Sequence, residues 1–117
     1  MSAKFLVATP AVIVLCGDEK VSPDWYVVDV ALAGENMVIA ATAEGLGTCW
    51  VGSFEEEKVR RLLEIPKDLR VVALLAVGYA KEETGIKSRV IRFLRKRKAL
   101  SEIASWEVYG HRFDGDK

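Results

Sequence analysis

Between Tyr26 and Ala43 the chain carries charge only at Asp29 and Glu35, and the run from Trp25 to Glu44 reads as one long helix. A helix apolar nearly all round has to be buried on more than one side. Asp29, Glu35 and Asn36 argue against a membrane span, so no membrane is expected as a partner. In 117 residues there is little material to surround such a helix. Ala31, Ala33, Gly34, Ala40, Ala41 and Ala43 are small and allow close helix approach. A second copy of the chain packing on this helix is the expected solution, which predicts a homodimer.

The helix runs into Gly45 to Phe54, GLGTCWVGSF. Gly45 and Gly47 can take positive φ, so the helix can stop abruptly and the backbone can turn. Thr48 to Val51 predict one short buried strand. Gly52 leaves the strand end without a side chain, and Ser53 suits the cap of a following helix. This arrangement lets a flat ligand lie against main-chain amides. The same text also fits a tight helix–strand–helix connection with no ligand.

Around that centre, Ala11 to Leu15 (AVIVL) and Val71 to Val77 (VVALLAV) are continuous apolar runs. They predict strands covered on both faces, the second in the middle of a sheet. Gly17 to Asp24 reads as a loop, and Ser53 to Leu63 as a helix stopped by Pro66. Ser53 and Glu56 have capping-box spacing. From Lys81 the text turns polar, then basic from Arg89 to Lys98. Leu100 to Tyr109 permits a short helix. The expected organisation is a single domain over 1–117, with 81–117 a basic tail holding that short helix.

Half the residues are apolar and 29% are charged, with 17 basic against 17 acidic, so overall charge favours no polyanionic partner. One aromatic, Phe93, is interleaved with the basic run, and no nucleic-acid partner is expected. Cys16 and Cys49 are the two cysteines, which suits a reduced, cytoplasmic setting. No signal peptide is read at the start. With His111 the one histidine, no metal site is expected. Cys49 reads as a small buried strand residue, and neither phosphate-cradling glycine motif is present. What remains is the Gly52 amide at a strand end and the planar donor forks of Arg95 and Arg97, suited to a phosphate. A solvated basic tail is the other reading of those arginines.

The order of these segments resembles the FMN-dependent nitroreductase family of NAD(P)H oxidoreductases. The resemblance rests on TPAVIVLCGD (Thr9–Asp18) and DVALAGENMVIAATAEGLGTCWVGSF (Asp29–Phe54). It continues through EEEKVRRLLEIPKDLRVVALLAVGYA (Glu55–Ala80) and RKRKALSEIASWEVYG (Arg95–Gly110). It implies an α+β fold, an antiparallel sheet flanked by helices, with a long central dimerisation helix and FMN at the subunit interface. By the same resemblance Trp50, Val51, Gly52 and Ser53 lie against the flavin ring, with Gly52 and Ser53 at N5 and O4, and Arg95 and Arg97 reach the FMN phosphate. The implied reaction passes hydride from NAD(P)H through the flavin to a nitroaromatic, quinone or similar small-molecule acceptor, with no catalytic side chain of the protein's own. The family's N-terminal third, with its arginine–serine segment and its asparagine–glutamine–proline–tryptophan stretch, has no counterpart in these residues. The alternative reading is therefore a non-catalytic dimeric scaffold or partner subunit that has lost FMN.

Overall fold

The structure, a computed structural model, describes residues 3–79 and 97–111, with side chains from 6–79 and 97–111. Two compact units divide the chain, 1–81 and 82–117.

The first unit opens with a 3-10 turn, Ala3–Ala8, and continues with β1 (Ala11–Asp18), α1 (Tyr26–Ala43), β2 (Gly47–Val51), α2 (Glu56–Leu62) and β3 (Leu69–Gly78). The sheet is antiparallel in the order β1-β3-β2, so β3 is central. Its run VVALLAV is buried as expected apart from the half-buried Val72 and Val77, and Leu75 is fully enclosed. β1 and β2 depart from expectation: among the described residues each pairs only with β3. Within the described sheet they are the edge strands. Ala11 to Ile13 are consequently exposed, as are Cys49 and Trp50. An apolar run shows that a strand can be buried on both faces, but its place in the sheet decides whether it is.

Side-chain alternation gives the sheet two packed faces. On one, Leu15, Ala73 and Leu75 meet Val30 of α1, with Val38 packed alongside. On the other, Val51, Val71 and Leu74 meet Phe54, Val59 and Ile65.

α1 ends as expected at Gly45, whose φ is +73°. The Leu46 N–H donates to the Ala41 carbonyl and the Gly45 N–H to Thr42, the bonding pattern that lets a left-handed residue close a helix. Gly47 needs no positive φ; it is simply the first residue of β2. By length and composition α1 passes for a membrane span. In the structure it lies against all three strands. Only Val30 and Gly34 of α1 are buried within the chain, with Val38 and Ala41 half-buried on the same side. Gly34 and Ala41, expected in a helix–helix seam, thus face the chain's own sheet. On the opposite side Val28, Leu32 and Ile39 are exposed.

α2 begins at Glu56, and its N-cap is Glu55, with no side-chain cap bond. The expected Ser53–Glu56 capping box is absent. Glu56 turns to partners outside the helix start: its Oε1 accepts from Arg60 Nη2 at 2.7 Å and from the Val71 N–H at 3.1 Å. Val71 stands where the β1–β3 register skips, between the pairs Leu15–Ala73 and Cys16–Val71. The tertiary donor takes the carboxylate that local spacing assigned to a cap.

In the second unit, α3 (Leu100–Ile103) is a single turn, shorter than the Leu100 to Tyr109 helix the sequence permits. Positive φ at Glu107 and Gly110 folds 105–111 back on itself, and the Trp106 N–H donates to the His111 carbonyl.

Candidate functional site

Trp50 and Val51 leave the end of β2 on opposite faces of the sheet. Val51 is buried in the cluster with Val71 and Leu74. Trp50, paired in the ladder with Leu75, turns its indole onto α1, where a Cβ on Gly34 would overlap it. Trp50 remains 40% exposed, so it is a wall rather than a core residue. Adjacent side chains are thus held on both faces, and the main chain that follows is placed by them.

Gly52 and Ser53 come next, outside the ladder, whose last pair is Val51–Leu74. Both residues are exposed. A Cβ built on Gly52 meets nothing within 4 Å, so the described residues leave the space beside this main chain open. The expectation that Gly52 adjoins a helix N-terminus needs correction, because α2 starts only at Glu56. The Gly52 and Ser53 amides and the Ser53 hydroxyl therefore have no helix dipole directly behind them.

The proposed phosphate residues are described separately from this turn. Arg95 lies outside the described residues. Arg97 is exposed and belongs to the second unit. Among the described residues no cluster of His, Cys, Asp or Glu has a metal-binding arrangement.

Two further features are local architecture. An open cleft between the end of β1 and the start of α1 is lined by Gly17, Asp18, Ser22, Tyr26 and Asp29. Its polar groups are engaged: Asp18 Oδ1 accepts from the Lys20 N–H at 2.8 Å, and Ser22 Oγ donates to Asp29 Oδ2 at 2.6 Å. Asp29 thus pins a side chain of the preceding loop to the first turn of α1. Both cysteines are free thiols. Burial pushes the Cys16 thiol above its ordinary range, despite the opposing pull of Arg60, which makes it a poor nucleophile.

The sequence reading missed the part Gly34 plays. A glycine inside a helix costs about 1 kcal/mol against alanine, so its presence is a signal of close approach. That signal was legible, but the sequence does not say that the approaching group is an indole from β2.

A three-stranded antiparallel sheet with a long helix on one face and a short one on the other places the protein among the nitroreductase-type α+β folds. The chain belongs to the Nitroreductase family, whose profile matches residues 2–79. A relative from Archaeoglobus fulgidus, provisionally named an NADH dehydrogenase/NAD(P)H nitroreductase, is 38% identical over 80 residues, covering 62% of this chain and 46% of the relative. The crystal structure of a protein of the same provisional name from Parabacteroides distasonis covers 93% of this chain and 62% of its own, at 26% identity and a TM-score of 0.72. That of a nitroreductase family protein from Clostridium novyi covers 93% and 57%, at 32% identity and a TM-score of 0.59. The chain spans about half the length of the curated relatives it matches.

Proposed function

We propose that the chain works as an FMN-dependent oxidoreductase of nitroreductase type, assembled as a homodimer, with the Trp50–Ser53 turn against the flavin ring. The observation that carries this reading is the turn itself, an open, exposed glycine directly after two side chains anchored on opposite faces of the sheet. The residues present fit the ring end of the cofactor. A side chain at position 52 would occupy the space a planar ring needs, and the sequence leaves that position bare.

In this reading Gly52 and Ser53 donate hydrogen bonds to electron-rich ring atoms, and the Trp50 indole borders the crevice and narrows its access to water. The phosphate role of Arg95 and Arg97 rests on the family resemblance alone. When bound, FMN supplies the hydride chemistry, from NAD(P)H to a nitroaromatic, quinone or similar acceptor. NAD(P)H as reductant is carried over from the name of the Archaeoglobus relative. The open side of α1 supports the dimer, since Val28, Leu32 and Ile39 form an apolar row that the described residues leave exposed. Two free thiols suit a reducing compartment, and we place the protein in the cytoplasm.

The test is titration of the purified protein with FMN, for the parent chain and for Gly52→Val. Quenching of flavin fluorescence and bleaching of the bound flavin by NAD(P)H are expected for the parent. Binding should weaken by roughly tenfold or more for the variant, equivalent to about 1.4 kcal/mol. A parent chain that ignores FMN would instead favour the non-catalytic scaffold.

A further inference from the structure

We infer that Gly34, in the middle of α1, is a positioning residue for the flavin-facing turn. It acts through Trp50, and the inference rests on the flavin reading above. Gly34 is buried, and it is the one glycine between Trp25 and Glu44. A Cβ there would stand 2.8 Å from indole Cζ2 of Trp50, closer still to Cη2, and 3.0 Å from Leu15 Cδ1. Leu15 is itself buried in the sheet core and has little room to move. The added methyl must therefore displace the indole.

That displacement reaches the turn because of where β2 sits. As an edge strand it has the β3 ladder on one side only, among the described residues. Its remaining restraints are side-chain seats: Trp50 on Gly34 toward α1, and Val51 in the opposite cluster. Gly52 follows two residues after the indole, and a Cβ built on it meets no atom of the described residues within 4 Å. The missing side chain on α1 thereby sets the main-chain position that the ring meets on β2. Ring binding to oriented amides is sensitive to small shifts, since hydrogen bonds weaken steeply as their geometry degrades.

A double-mutant cycle tests this, with FMN affinity read by flavin fluorescence and helix content by far-UV circular dichroism. The four proteins are the parent, Gly34→Ala, Trp50→Phe, and the two combined. Alanine is the better helix former, so α1 itself tolerates the change. Phenylalanine is shorter than tryptophan and withdraws the atoms that overlap. Gly34→Ala is expected to weaken FMN binding by roughly tenfold or more with helix content retained, and to change it less than about twofold in the Trp50→Phe background. Unchanged affinity in Gly34→Ala, or an equal loss in both backgrounds, would overturn the inference, the second result placing the cost in α1 alone. A parent chain that binds no FMN overturns the flavin reading itself, and this inference with it. Should Gly34→Ala fail to fold, the same comparison is made in a Leu15→Val background, which frees the space now taken by Leu15 Cδ1.

Discussion

Glu56 illustrates how one carboxylate oxygen can hold two elements together. Its Oε1 accepts from the Val71 N–H and from Arg60, and lies 3.4 Å from Arg70 Nε. Arg60, buried apart from a sliver of surface, also donates to the Pro66 carbonyl at 3.1 Å. The α2 helix is thereby tied to β3 and to the turn between them. The Val71 amide first, and the Arg60 guanidinium next, hold the Glu56 carboxyl below its ordinary value near 4.5. A carboxylate with a depressed folded pKa contributes stability that is complete above its unfolded value and fades as pH falls through the folded one. Glu56→Gln should therefore cost about 1–2 kcal/mol in urea unfolding at neutral pH, because charge-assisted bonds are replaced by neutral ones. The gap between parent and variant should narrow below the ordinary value near 4.5. A gap that is constant or widens on acidification would show that the charge on Glu56 is not what matters. The Ser53–Glu56 spacing suggested a cap because sequence spacing registers local reach. The competing donor, Val71, is fifteen residues away and visible only in the fold.

Among the elements, α1 makes contact with every strand of the sheet. Its extent was legible from the apolar run and its end from Gly45, where a residue with φ of +73° closes the helix. Its facing was not. Val30, Gly34, Val38 and Ala41 form the stripe on the sheet, whereas an almost uniformly apolar sequence gives no moment to point with. The strands divide in the same way. The central place of β3 was readable from VVALLAV, but the edge positions of β1 and β2 were not, because edges are defined by which partners are missing. The open row Val28, Leu32 and Ile39 makes a specific prediction for the proposed dimer. Leu32→Arg, an unpaired charge in a dry seam, should cost about 3 kcal/mol or more and convert dimer to monomer with helix content intact. Sedimentation velocity reads the outcome, and an undiminished dimer would move the interface elsewhere.

For the whole molecule, the first unit presents more large apolar surface than one small core accounts for. Among the described residues, Val7, Trp25, Leu32, Ile39 and Leu62 are all more than half exposed. The second unit likewise exposes Leu100, Ile103, Trp106 and Tyr109. Family membership and fold were legible from the order of segments, since GLGTCWVGSF and VVALLAVGYA carry them together. The candidate site was legible as a stretch of text, Trp50 to Ser53. The way its main chain is held was not, because it depends on a glycine sixteen positions upstream of Trp50. In the proposed assembly two copies of this chain, joined along the open side of α1, hold a flavin at that turn. Size-exclusion chromatography with light scattering, monitored at protein and flavin wavelengths after loading with FMN, tests it most directly. One peak of twice the 13.0 kDa chain mass, carrying flavin absorbance, is expected. A flavin-free peak at the mass of a single chain would contradict it.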